Sequence, residues 1–198
     1  MIHDSIISAV KASVNTLLAE RGRVVIAIDG RCASGKTTLA AALAQVFQAP
    51  VIHMDHFFLR PHMRTPERLN QPGGNVDKER FSEEVIPFLR GGKVFTYRPF
   101  DCHTLDFSLP VCVPSAPVIL VEGSYACCPD FRPIYDLSVF LTVDPQVQLQ
   151  RIAKRNGDAA AEIFRQKWIP LEEAYFRAFD IKETCDLTFD TTHSPAED

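Results

Sequence analysis

The chain has 198 residues, 46% hydrophobic, 10% aromatic and 23% charged, enough apolar side chain for one domain over residues 1–198 with a real core; this excludes a disordered tail or a disulfide-stapled miniprotein. Lys plus Arg minus Asp plus Glu is 21 minus 25, a net charge of −4, so no positive field covers the molecule and nucleic acid is not an expected partner. The six cysteines show neither repeated CxxC pairs nor the density of a secreted scaffold, and no apolar run approaches the roughly 18 residues of a membrane span, so a soluble cytoplasmic protein with reduced thiols and no membrane partner is expected.

Apolar residues recur at helical spacing from Ile6 to Leu18 and predict an amphipathic helix that ends near Gly22. Val24-Val25-Ile26-Ala27-Ile28 reads as a buried strand running into Asp29-Gly30, and Thr37 to Phe47, rich in Ala and Leu, as a helix. A second apolar run, Pro50 to Met54, stops at Asp55. Phe57 to Asn75, with Pro61, Pro66, Pro72, Gly73 and Gly74, is read mostly as an ordered surface excursion. Lys78 to Leu89 is expected to be helical, bent or ended by Pro87, and Val94 to Pro117, punctuated by four prolines, to form edge strands or a small hairpin outside the main sheet. Val118 to Val121 and Leu137 to Leu141 are further core strands; Asp144-Pro145 opens a helix to about Lys154; Ala159 to Phe179 is helical with a break or kink at Pro170; Leu187 to Phe189 is a last strand. Five apolar strands separated by helices predict an α/β fold with a parallel sheet covered on both faces.

Gly30-Arg31-Cys32-Ala33-Ser34-Gly35-Lys36-Thr37 has the phosphate-loop (Walker A) spacing and lies after a strand and at the start of a helix, where the mechanism needs it. Two glycines permit a tight loop whose N–H groups face phosphate oxygens; Lys36 reaches the outer phosphates and the Thr37 hydroxyl ligates magnesium, with Thr38 next to it. Asp55 and Glu122 stand at the carboxyl ends of two strands, where open parallel sheets hold ligands. Asp55 reads as a general base for an acceptor hydroxyl or a magnesium-linked carboxylate, against a cap; Glu122 reads as a holder of magnesium or its water, against a structural carboxylate. Arg151 and Arg155, four apart, share a helix face and suit a lid that neutralises charge during phosphoryl transfer, against a solvated surface. Tyr97, Arg98, Asp101 and His103 suit a hydroxylated acceptor, against a structural polar group. His53 and His56 flank Asp55 but lack a third donor for zinc, and Arg60, His62 and Arg64 line the same excursion.

With these residues in view, the chain resembles the uridine kinase and phosphoribulokinase-like branch of the P-loop small-molecule kinases from about Val24 to Thr192. The resemblance rests on the phosphate loop, Asp55-His56-Phe57-Phe58, Pro72-Gly73-Gly74-Asn75-Val76-Asp77, Tyr97 with Phe100-Asp101, Glu122-Gly123, the Arg151 to Arg155 stretch and Cys185 to Asp190. It implies a five-stranded P-loop kinase core with a helical lid, here about 151–168, and ATP with magnesium as donor system. It matches Asp55 to the activating acid, Lys36 and Thr37 to phosphate and magnesium contacts, Glu122 to the second nucleotide motif, and Arg151 and Arg155 to the lid. The acceptor segments fall at about 56–77 and 94–117. Uridine kinases carry Tyr-Asp-Phe and Thr-His-Ser-Arg patterns where this chain has Phe100-Asp101-Cys102-His103-Thr104 with no arginine directly after it.

The expected function is therefore transfer of the ATP γ-phosphoryl group to a hydroxyl of a small metabolite, a nucleoside such as uridine or cytidine first. A pantothenate, ribosylnicotinamide or sugar-like acceptor fits the same core, and a nucleotide-responsive regulatory interaction protein is the rival from another class. A homo-oligomer is compatible with the sequence.

Overall fold

The computed structural model describes residues 4–193; the two ends of the 1–198 domain reading, 1–3 and 194–198, lie outside the described residues. In chain order the elements are α1 (Asp4–Arg21), β1 (Val24–Gly30), α2 (Lys36–Phe47), β2 (Val51–His53), α3 (Pro66–Leu69), α4 (Lys78–Glu84), α5 (Ile86–Leu89), β3 (Phe95–Tyr97), β4 (Phe100–Asp101), β5 (Asp106–Phe107), β6 (Val111–Val113), β7 (Val118–Glu122), β8 (Leu137–Thr142), α6 (Pro145–Asn156), α7 (Asp158–Ile163), α8 (Ile169–Ala178), α9 (Ile181–Thr184) and β9 (Leu187–Asp190). Short 3-10 turns cover Met54–Phe57, Pro61–Met63 and Arg132–Ile134.

The main sheet is parallel, five-stranded and ordered β2-β7-β1-β8-β9. Strand β1 is buried at all seven positions, and its side chains alternate between faces as a strand's must. Val25 and Ala27 join Ile119, Val121 and Phe140 under α4, α5, α8 and α9, whereas Val24, Ile26 and Ile28 join Leu120, Val139 and Leu141 under α1 and α2. On α1, Ile6, Val10 and Val14 recur every four residues and supply its buried stripe. The chain leaves β1 toward β2 on one side and crosses from β7 to β8 on the other, so the loop after β1 sits at the topological switch point. Register places Ile28 and His53 both opposite Glu122, and Gly30 opposite Leu141.

The strands and most helices fall where the sequence puts them, and the 94–117 region forms two small antiparallel pairs, β3 with β6 and β4 with β5, outside the main sheet. The 57–75 excursion lies mostly at the surface, as read, but its ends are anchored: Phe57 and Leu59 are fully buried, and the Leu59 N–H to Asn75 O and Asp77 N–H to Phe57 O bonds fold them onto the core. One expectation needs refinement. The 159–179 helix is not simply kinked at Pro170. A π-turn over Phe164–Trp168 precedes α8, widening the helix just where proline's missing N–H and its ring would disrupt an ordinary α-turn.

Gly30 is fixed by sterics. Its φ is +136° and a Cβ there would lie 2.0 Å from the Leu141 carbonyl oxygen, whereas Gly22, at φ +70°, has open space. Gly30→Ala should therefore cost more than about 3 kcal/mol, combining strain with a backbone clash, and Gly22→Ala about 1–2 kcal/mol. Urea unfolding of both variants checks this; equal losses would contradict it.

Candidate active site

The β1–α2 junction forms the site's floor. Ala33 at φ +58° and Gly35 at φ +90° turn the chain tightly, and a bond from Ser34 N–H to Arg31 O closes the turn. The carbonyls of Cys32, Ala33 and Ser34 are taken from outside the loop by Gln148, Arg151 and Thr191. A trans peptide directs its N–H opposite its C=O, so the N–H groups of Ala33 and Gly35 turn toward the concave side. Those of Lys36 and Thr37 open α2, where no intrahelical acceptor exists. Lys36 Nζ donates to Gly30 O at 2.8 Å and Arg31 O at 2.9 Å, which sets its ammonium across the loop. The fully buried Ser34 hydroxyl has no partner in the structure. Converging N–H groups, a cation, an orphan hydroxyl and a glycine that admits no side chain together fit a polyphosphate. Of the other loop residues, Arg31 donates to Glu173 and to Val143 O, and Thr38 is half-buried in the first turn of α2.

Thr37 and Glu122 meet: the Thr37 hydroxyl lies 3.3 and 3.4 Å from the two Glu122 carboxylate oxygens. His53 Nδ1 donates to Glu122 Oε1 at 2.5 Å, and that bond raises the His53 pKa. Among the described residues no group of three or more His, Cys, Asp or Glu side chains could hold a metal ion. One hydroxyl and one carboxylate suit magnesium, which binds through one or two protein oxygens together with substrate phosphates and water.

Behind the loop lies Asp29, fully buried, which sequence reasoning passed over. Its carboxylate accepts from the N–H groups of Gly30, Tyr125 and Cys127 and from the Tyr175 hydroxyl. Burial pushes its pKa up to about 6, against the Cys127 and Gly30 N–H groups, the Lys36 charge and the Tyr175 hydroxyl, which pull it down. Glu172 on α8 was missed too: it accepts from Cys32 N–H and from the Ser124 hydroxyl, joining the loop to the segment after Glu122. An acid ending an otherwise apolar strand was a usable signal for Asp29; Glu172 has none in its neighbourhood.

Asp55 is exposed on the 3-10 turn that follows β2. His53 and His56 pack edge to face 5.2 Å apart on either side of it, and His56 Nδ1 is 2.9 Å from the Tyr97 hydroxyl. Burial lowers the His56 pKa and raises that of Tyr97 to about 12, and the Asp55 charge acts on both. Asp55 and Tyr97 are thus brought to one place. Arg98 is turned away, donating to Ser108 O and Phe107 O, where it braces β4 and β5. Asp101 accepts from His103 N–H at 2.7 Å, a bond that lowers its pKa and closes the turn between β4 and β5. Arg98 and Asp101 are thus engaged with β5 and the turn after β4, and His103 is an exposed turn residue. Arg80, missed in the sequence, ties the region together: it donates to His56 O and Arg98 O and lies over the rings of Phe57 and Phe107.

The lid residues divide. Arg151 is half-buried against the phosphate loop and β9, bonded to Ala33 O and Thr191 O. Arg155 is exposed and donates to Asn156 Oδ1, and Arg165 pairs with Glu162 on the surface.

No family profile matches the chain. A cytidylate kinase from Pyrobaculum arsenaticum is 26% identical over 143 residues, covering 72% of this chain and 66% of that one, so the match spans just under two thirds of the relative. Among solved structures, a possible uridine kinase from Bacillus stearothermophilus superposes with a TM-score of 0.68 at 24% identity, covering 94% of this chain and all of that one. A candidate fructose transport system kinase from Silicibacter sp. TM1040 gives 0.65 at 27%, covering 90% and 97%. A candidate P-loop kinase with a circular permutation from Saccharomyces cerevisiae gives 0.70 at 14%, covering 93% and 98%. The chain therefore has the α/β P-loop kinase fold, with uridine kinase-like and other P-loop kinases as its structural neighbours. Among the described residues no helix is long and apolar enough to cross a membrane.

The Asp29 pKa gives a pH test. Below pH 4 folded and unfolded chains both carry the proton; between the ordinary 3.8 and about 6 only the folded chain keeps it. Stability should thus fall by about 3 kcal/mol as pH rises through that window and then level off. Urea unfolding from pH 4 to 7 should show wild type losing stability relative to Asp29→Asn; a relative gain with rising pH would contradict the assignment.

Proposed function

We propose that the chain is an ATP-dependent kinase that transfers the γ-phosphoryl group to a hydroxyl of a small metabolite, a nucleoside such as uridine or cytidine being the first choice. The observation that carries this reading is a phosphate loop with its N–H groups turned inward at the carboxyl end of the same sheet that presents Asp55. A nucleotide site alone would suit a regulator as well. The acid after β2, two strands from β1 at the same edge of the sheet and with Tyr97 and His56 beside it, supports an acceptor site.

In this reading the N–H groups of Ala33, Gly35, Lys36 and Thr37 bind the phosphates, and Lys36 offsets the charge on the outer ones. Thr37 and Glu122 would hold magnesium, which when bound would offset negative charge on the phosphates. His53 keeps the Glu122 carboxylate turned toward Thr37. Asp55 orients the acceptor hydroxyl and takes its proton as the new O–P bond forms and ADP leaves with the electrons of the old one. Arg155, exposed at the end of α6, supplies positive charge at the lid. Because most phosphoryl-transfer catalysis is positioning and electrostatics, these few groups suffice. A sugar-like acceptor is the second reading. It is favoured by the absence of an arginine after His103 and Thr104 and by the 27% identity to the candidate fructose transport system kinase.

The test is a mass-resolved screen with purified protein, magnesium and ATP against nucleosides, sugars and vitamin precursors, with Asp55→Asn alongside. One acceptor should gain one phosphoryl group, and Asp55→Asn should lower turnover by about 10²–10⁴-fold while keeping ATP affinity. A folded Asp55→Asn variant with wild-type turnover would refute the assigned base.

A further inference from the structure

The phosphate loop is not held in shape by its internal bonds alone. Three successive carbonyls in it are gripped by side chains from two distant parts of the chain. Gln148 Nε2 donates to Cys32 O at 3.1 Å, Arg151 Nη1 to Ala33 O at 3.2 Å, and the Thr191 hydroxyl to Ser34 O at 2.9 Å. Gln148 and Arg151 stand three apart on α6 and so share a face. Thr191 follows β9 directly. Arg151 also donates to the Thr191 carbonyl and hydroxyl, at 2.7 and 3.3 Å, joining the two sources into one unit. Gln148 and Thr191 are each 1% exposed.

The three grips have different consequences for the loop. The peptides of Cys32 and Ser34 carry the N–H groups of Ala33 and Gly35, the two loop donors directed at phosphate, so holding those carbonyls outward aims those donors inward. The Ala33 carbonyl belongs to the peptide whose N–H, that of Ser34, closes the turn onto Arg31 O. Ala33 itself sits at φ +58°, a conformation an alanine leaves readily unless its neighbours hold it. If either aiming peptide turned over, it would present an oxygen to the phosphate instead of an N–H.

We infer that Gln148, Arg151 and Thr191 are positioning residues for the nucleotide phosphates, and that Arg151 acts through the loop rather than on the transferring phosphoryl group. This rests on the nucleotide-site half of the proposed function and is independent of the acceptor. Because α6 runs on to Asn156 and the Gly157 turn, where φ is +85°, it also roots the lid segment on the loop it would cover.

The experiment is calorimetric binding of ADP and of inorganic pyrophosphate, each with magnesium, to wild type, Gln148→Leu, Thr191→Val, Thr191→Ser, Arg151→Met and Arg151→Lys, all checked for folding by urea unfolding. Gln148→Leu, Thr191→Val and Arg151→Met should each weaken both ligands by roughly fivefold to thirtyfold. Thr191→Ser, which keeps the hydroxyl, should stay within about threefold of wild type, whereas Arg151→Lys, which keeps only the charge, should not. In turnover the ATP KM should rise by the factor seen for ADP, with kcat at saturating ATP within about threefold. Folded Gln148→Leu and Thr191→Val that bind ADP within twofold of wild type, or Arg151→Met that loses only kcat, would overturn the inference and return Arg151 to the phosphoryl group. A wild-type protein that binds neither ligand would overturn the nucleotide site itself.

Discussion

One carboxylate without access to water holds the working end of this molecule together. Asp29 ends β1 and collects hydrogen bonds from the loop that follows it, from the segment after β7 and from α8. Those three pieces are far apart in sequence, and apart from the Glu172 and Glu173 contacts to the loop and to Ser124 they meet through apolar packing, which does not fix orientation. Its burial is costly and its donors offset much of that cost, so the arrangement is all or none: remove one donor and the charge loses its compensation. Everything at the carboxyl edge of the sheet inherits its position from this point. Gly30 lies against Leu141, Lys36 spans the loop, and Glu172 couples the loop to Ser124.

The two halves of the site are built by different physics. The nucleotide side is backbone, shaped by sterics and by buried hydrogen bonds from outside the loop, and it presents dipoles that need no rearrangement to meet a phosphate. The side proposed for the acceptor is side chain and stacking: Tyr97 packs on the Phe57 ring, the buried guanidinium of Arg80 lies over that ring and donates to the His56 carbonyl, and Asp55 stands exposed on the same turn. A backbone cradle reads any triphosphate alike. In the proposed reading, choice among acceptors falls to the aromatic and polar groups of 53–60 and 95–107, which include the Phe100 to Thr104 stretch that departs from the nucleoside-specific pattern.

The sequence made the sheet legible because β1, β7 and β8 are uninterrupted apolar runs, and the phosphate loop legible because two glycines and a lysine at that spacing serve few other ends. The Thr37 hydroxyl and the Glu122 carboxylate meet because the start of α2 and the end of β7 lie at the same edge of the parallel sheet. What stayed hidden was long-range. That Arg151 faces Ala33 across 118 residues, or that Arg98 spends its donors on Phe107 and Ser108, depends on packing no local pattern encodes. A basic residue on a helix face reads the same whether it covers a ligand or braces a loop. The buried part of 57–75 was missed for a related reason: prolines and glycines mark a turn without telling which face of it meets the core.

Amide chemical shifts read the inward N–H groups of the phosphate loop one by one and so test whether they bind a nucleotide. In a ¹⁵N-labelled sample titrated with ADP and magnesium, the largest shifts should fall on the amides of Ala33, Gly35, Lys36 and Thr37, with the Arg31 amide, already bonded to Leu141 O, moving far less. Saturable shifts concentrated elsewhere, such as around the roughly 330 Å³ cavity between Arg31, Arg177 and Lys182, with those four amides unmoved, would contradict it.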